Sequence, residues 1–136
     1  MLKIEHIAIA VKDLNSSNSL FSKLLGKEPF KEEEVAGEKV KTSFFQMGET
    51  KVELLEALSE DSSIAKFIAK KGEGIHHIAF EVADIKAEMK RLKEEGFELL
   101  SEEPKKGADN KLICFIHPKS ANGVLVELCQ NLDSQD

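Results

Sequence analysis

EHIAIAVKDL at residues 5–14 and HHIAFEVADI at residues 76–85 are two copies of one motif. They match at His6/His77, Ile7/Ile78, Ala8/Ala79, Val11/Val82 and Asp13/Asp84, all at an offset of 71. A second pair of segments, VELLEAL at 52–58 and VELCQNL at 126–132, agrees at Val52/Val126, Glu53/Glu127, Leu54/Leu128 and Leu58/Leu132, at an offset of 74. The three extra residues fall where MGET in the first copy becomes HPKSANG in the second, a turn, and turns tolerate insertions. The chain is one supersecondary unit used twice.

Each copy opens on a strand. Alternation puts Ile7, Ile9 and Val11 on one face and His6, Ala8 and Ala10 on the other, and likewise Ile78, Phe80 and Val82 against His77, Ala79 and Glu81. A helix follows. In the second copy Asp84 is the expected N-cap, Ile85, Met89 and Leu92 recur at helical spacing, and Gly96 stands where a left-handed C-cap belongs. In the first copy the expected cap is Ser16 or Ser17, the expected buried stripe is Leu20, Phe21, Leu24 and Leu25, and Gly26 is the stop. Strand-forming segments come next, about 29–35, 39–47 and 51–57 in the first copy and about 97–102, 111–117 and 123–130 in the second.

The predicted class is therefore α+β, two tandem βαβββ modules, about 3–58 and about 75–131, within a single domain of residues 1–136. Between them, SEDSSIAKFIAKKGEG at 59–74 predicts a short amphipathic linker helix at about 61–72, begun by Asp61 or Ser62, with Ile64, Phe67 and Ile68 on its apolar side and Gly72 and Gly74 at its end. The polar end, NLDSQD at 131–136, is expected to fray.

A chain of 136 residues buries roughly two thirds of its unfolded surface, so a real core is available. With 25 acids against 19 bases the formal charge is −6, which argues against nucleic acid as a partner, because phosphate binding needs clustered Lys and Arg. No apolar run approaches a membrane span, and the N-terminus lacks the pattern of a secretory signal, so no membrane partner and a cytoplasmic location are expected. The two cysteines, Cys114 and Cys129, lack CxxC spacing and read as core thiols.

His6, Glu53, His77 and Glu127 recur by the repeat and carry metal-ligand chemistry. Two imidazoles and two carboxylates suit a divalent ion such as Co, Mn, Ni, Zn or Fe, with open positions left to water. Ala8 and Ala79, two residues from each histidine, leave room inside a curved sheet. Glu53 and Glu127 each interrupt an apolar strand as V-E-L. Facing inward they need a partner, and facing outward they need none. His76 points away from His77 by strand parity, and His117 precedes Pro118 in a turn.

The segments HIAIAVKDL, GETKVELLEAL, DSSIAKFIAKKGEGIHHIAFEV and SEEPKKGADNKLICFIHPKSANGVLVEL span nearly the whole chain, and together they resemble the vicinal oxygen chelate, or glyoxalase/bleomycin-resistance, superfamily and, within it, the methylmalonyl-CoA epimerases. The resemblance implies a curved, partly closed mixed β-sheet around a metal site with the helices outside. It also implies a divalent ion held by His6, Glu53, His77 and Glu127. Some family members carry Gln where this chain has Glu53, so this site is one formal charge more negative. The implied reaction interconverts the (R) and (S) forms of methylmalonyl-CoA by removal and return of the α-proton, with one general base per face. Glu127 is the base for one face. For the other, a glutamate of the first module serves in some members, but it aligns here with Thr42, and Glu38, with Glu34 behind it, is the nearest acid.

The substrate class implied is a CoA thioester, and the oligomer implied is a homodimer. Lys105, Lys106, Lys111 and Lys119, against the single acid Asp109, offer a positive rim to the phosphates, with Ser120 of the HPKS turn beside them. A rival reading with the same ligands is a lactoylglutathione lyase acting on the glutathione hemithioacetal of methylglyoxal. A second is a non-catalytic drug-binding resistance protein, which would not need four metal ligands.

Overall fold

The computed structural model describes residues 1–132. The chain divides into two compact units, His6–His76 on one side and Met1–Glu5 with the chain from His77 onward on the other, so the cut falls between the two histidines of HHIAFEV. The elements are β1 (Lys3–Ala10), α1 (Leu14–Leu25), β2 (Lys31–Val35), β3 (Val40–Met47), β4 (Thr50–Ala57), α2 (Ser63–Lys71), β5 (Gly74–Glu81), α3 (Ile85–Glu94), β6 (Lys105–Lys106), β7 (Lys111–Ile116) and β8 (Val126–Asn131). Asn131 ends β8 and Leu132 follows it; the rest of the expected frayed tail, 133–136, lies outside the described residues. Among the described residues no helix is long and apolar enough to cross a membrane.

The two units repeat one topology. In the first the strand order is β2-β3-β4-β1, with β1 parallel to β4 and the other neighbours antiparallel. In the second it is β5-β8-β7-β6, with β5 parallel to β8 and the rest antiparallel. This is βαβββ twice, an α+β architecture, as the repeat predicts.

One face of the first sheet packs Phe45, Leu54, Ile9 and Val52 under α1, and the other packs Ala8, Ala10, Val40 and Leu55 under α2. In the second unit Cys114, Ile116 and Leu128 pack under Ile85, Met89 and Leu92 of α3, while Ala79, Ile113, Cys129 and Phe115 form the opposite face. Fully buried side chains such as Leu54 and Leu128 contribute about 1.5–3 kcal/mol each by removal from water.

Three local expectations are corrected. The cap of α1 is Asp13, whose carboxylate accepts from the Ser16 N–H at 3.0 Å, and not Ser16 or Ser17. Asp84 does the same for α3, accepting from the Ala87 N–H at 3.1 Å, so both caps obey the repeat. Starting at Asp13 sets the helix phase: Leu14, Phe21 and Leu25, spaced seven and four apart, face the sheet, and Leu20 and Leu24 are left 62% and 70% exposed. Gly26, at φ 74°, then ends α1 as expected.

The strand expected at 97–102 is reduced to a single bridge, Leu99 to Ile116, and regular pairing resumes only at Lys105. Ser101 turns its hydroxyl onto the Glu103 carbonyl at 2.9 Å, and Pro104 has no N–H for a ladder. The linker helix forms as expected, capped by Ser62, which accepts from the Ala65 N–H at 3.1 Å.

Candidate metal centre

Register explains how each pair forms. β1 lies parallel to β4 with Ala8 opposite Glu53, and β5 lies parallel to β8 with Ala79 opposite Glu127. Each glutamate thus has a small, fully buried alanine as its direct neighbour, and the histidine two residues earlier leans diagonally toward it. His6 Nδ1 stands 3.2 Å from Glu53 Oε2, and His77 Nε2 stands 2.7 Å from Glu127 Oε1. All four side chains are buried. The His77 ring also meets Phe115 edge-on at 5.3 Å, and Phe115 is the cross-strand partner of Glu127.

The donor chemistry fits a divalent ion. Each pair belongs to a group of three histidine and carboxylate side chains whose donor atoms lie within 4.8 Å of one another. Imidazole nitrogens and carboxylate oxygens already face each other out of water, and an ion would take the place of the proton between them. The sulfurs are turned elsewhere. Cys129 shares Glu127's side of β8, yet its thiol donates to the Phe80 carbonyl at 3.5 Å. Cys114 lies on the α3 side, where burial pushes its thiol above the usual range.

The helix starts are tied to the same strands. Glu56 Oε1 accepts from the Leu14 N–H at 3.0 Å, and Gln130 Oε1 accepts from the Ile85 N–H at 2.9 Å. These two residues follow Glu53 and Glu127 by three positions and are related by the same offset of 74. Each therefore pins the segment that follows a histidine strand to the strand that bears the glutamate. Sequence reasoning passed over them, although the offset marks them.

The remaining candidates scatter. His76 packs edge-on against Phe67 at 5.0 Å, and His117 caps the turn at Pro118–Ala121, its Nδ1 accepting from the Lys119 N–H at 3.1 Å. Thr42 is buried on the face of Glu53, one ladder step away, because it pairs with Leu55 as Phe44 pairs with Glu53. Glu34 is exposed on β2. Glu38 occupies the turn between β2 and β3, before Val40, and Val40 is itself four residues, about 13 Å, along β3 from Phe44, the cross-strand partner of Glu53. That span separates Glu38 from the His6–Glu53 pair.

Lys105 and Lys106 are exposed on β6, and Lys106 Nζ donates to Asn110 Oδ1 at 3.4 Å. Lys119 lies 3.0 Å from Glu98, whose carboxyl it holds below the usual range, and Ser120 Oγ accepts from the Glu98 N–H at 3.0 Å. Lys111 is not a rim lysine. It is buried, with Nζ 3.8 Å from Glu5 Oε2, and Glu5 is buried too. Nothing in the alternation of β1 signals Glu5, since it and its neighbour His6 are both buried where a regular strand would bury one.

Residues 5–115 match the family model described as Glyoxalase/Bleomycin resistance protein/Dioxygenase superfamily. The chain is 45% identical over 130 residues to an ethylmalonyl-CoA/methylmalonyl-CoA epimerase of Cereibacter sphaeroides, covering 94% of this chain and 97% of that one. Among solved structures, a Streptomyces coelicolor methylmalonyl-CoA epimerase variant in complex with 2-nitronate-propionyl-CoA superposes with a TM-score of 0.95 at 34% identity, covering 100% of this chain and 99% of that one. A methylmalonyl-CoA epimerase in complex with methylmalonyl-CoA and NH4+ gives 0.93 at 35% identity, covering 97% and 96%.

Proposed function

Because the chain belongs to the glyoxalase/bleomycin resistance protein/dioxygenase superfamily, we propose that it is an epimerase interconverting the (R) and (S) forms of methylmalonyl-CoA. The observation that carries the reading is the pair of buried His–carboxylate contacts at repeat-related positions, in a chain 45% identical to a named epimerase of this ester. In this reading residues 1–136 work as one domain, and His6, Glu53, His77 and Glu127 hold one divalent ion of the Co, Mn, Ni, Zn or Fe group. When bound, the ion supplies Lewis-acid charge that lowers the cost of negative charge developing at the thioester.

The chain's own residues do the rest. Glu127 serves one face of the α-carbon, accepting the proton of one epimer at its carboxylate and delivering a proton to that same face in the reverse direction, while inversion is completed by a proton donor other than Glu127 at the opposite face. His77 orients that carboxylate through the 2.7 Å contact, and Phe115 walls the imidazole on one side. Ala8 and Ala79 keep the floor low beside each glutamate. Glu127 is retained from the catalytic pair named above and Glu38 is not. We take the enzyme to be a cytoplasmic homodimer, for which the exposed Leu20 and Leu24 of α1 offer apolar surface.

The test is to incubate metal-loaded protein with one epimer in deuterated water. Formation of the other epimer with deuterium at C2 is expected. Turnover of methylglyoxal plus glutathione in a parallel reaction, with none of the CoA ester, would replace this reading with the lactoylglutathione lyase.

A further inference from the structure

The two lysines of β6 face opposite ways. β6 is the edge strand of its unit, and its short antiparallel ladder sets Lys105 opposite Ile113 and Lys106 opposite Leu112. Residues directly opposed across such a ladder share a face. Ile113 packs with Ala79, Cys129 and Phe115, on the side of β7 and β8 that carries Glu127, whereas Leu112 packs against the α3 cluster. Gly107 agrees with this assignment. Two residues after Lys105, it runs so close over the same face that an added Cβ would lie 2.8 Å from Ile113 Cδ1.

The other lysines of residues 105–119 differ from Lys105 in face or burial, or sit on another element. Lys106 is bound to Asn110, Lys119 to Glu98, and Lys111 is buried beside Glu5. Lys105 combines exposure with Glu127's face. Two strand spacings and one two-residue step put its Cβ about 12 Å from that of Glu127. A pantetheine arm, comparable to an extended chain of about five residues, spans about 17 Å, and the four-carbon stem of lysine covers the difference.

We propose that Lys105 binds the pyrophosphate of the acyl-CoA substrate, with the pantetheine arm laid across β7 from Glu127 to the β6 edge, and that Lys106, on the helix side, takes no part. The assignment rests on the acyl-CoA reading above. An exposed cation on a solvated phosphate is a modest, salt-screened contact, so Lys105→Ala is expected to raise KM for methylmalonyl-CoA about 3- to 10-fold with kcat nearly unchanged, and the more so at low salt. Lys105→Arg restores the wild-type KM, and Lys106→Ala stays within twofold of it.

The methylmalonyl thioester of pantetheine, which lacks the phosphates, is expected to show no difference between wild type and Lys105→Ala. An equal rise in KM for that truncated thioester, or a Lys106→Ala effect as large as that of Lys105→Ala, overturns the proposal. Calorimetric titration with free CoA separates the two readings. If CoA binding weakens in Lys105→Ala while no epimerisation occurs, the epimerase fails and the phosphate contact stands. If the wild type epimerises and Lys105→Ala leaves both KM and CoA affinity unchanged, the phosphate contact fails alone.

Discussion

His77 Nε2 and Glu127 Oε1 are 2.7 Å apart and buried, and a carboxylate is kept out of water only where a partner offsets its lost hydration. Removing one partner leaves the other exposed to that cost and, in the reading proposed above, deletes a ligand. Replacing His77 by alanine is therefore expected to lower metal affinity by about 100-fold or more, read as metal content after gel filtration. Retention of stoichiometric metal would remove His77 from the ligand set.

Cys114 gives a prediction of opposite sense. Burial holds its thiol above the ordinary 9.0, so the reactive thiolate is scarce, and alkylation by iodoacetamide at pH 8 should be at least about tenfold slower in the folded protein than in urea. At this scale the four buried His and Glu residues were legible because the repeat pairs His6 with His77 and Glu53 with Glu127. Glu5 and Lys111 were not, since a charged residue next to a histidine in a strand carries no mark of which way it faces, and their burial depends on a contact 106 positions apart in the chain.

At the scale of elements the caps decide where helices begin. Ser62 is buried as the cap of α2, and Ser62→Ala is expected to cost about 1 kcal/mol, visible as a lowered urea midpoint at unchanged slope. The acidic side of the stability profile follows from carboxyls held below their ordinary values: Glu98 by Lys119, Asp13 by the Ser16 N–H, and Asp61, at about 2, by Lys39 and Ser59. A lowered folded pKa means that the unfolded chain takes up protons first. These contributions are complete above the unfolded values of 4.5 for Glu and 3.8 for Asp and are lost as pH falls through the folded ones. The contribution of these carboxyls should thus be level from pH 7 to about pH 5 and decline toward pH 2, and Asp61→Asn should shrink that decline in urea titrations of the metal-free protein at each pH. An unchanged slope in the variant would exclude the Lys39 contact as its source. The Asp13 cap was legible in its repeat counterpart Asp84, and the interrupted strand before β6 in Pro104. The phase of α1 was harder to read, because Leu20, Phe21, Leu24 and Leu25 admit more than one apolar stripe until the first helical residue is known.

For the molecule as a whole, an ion bound to the folded chain and not to the unfolded one stabilises by mass action, about 2.7 kcal/mol at a hundredfold excess over Kd. Chelation is expected to lower Tm by several degrees, with recovery on adding the divalent ion back, and the shift should vanish in His77→Ala. A chelator-insensitive Tm in the wild type would count against a resident metal.

The amino-acid sequence by itself determined the twofold βαβββ plan and the four recurring His and Glu positions, because strand alternation, helix periodicity and repetition are written in neighbouring residues. Only the tertiary structure decided that Glu38 is remote from the His6–Glu53 pair, that Lys111 is buried, and that Lys105 and Lys106 part to opposite faces. Those outcomes depend on which residue of one strand stands opposite which residue of another, and register is settled by packing across the sheet.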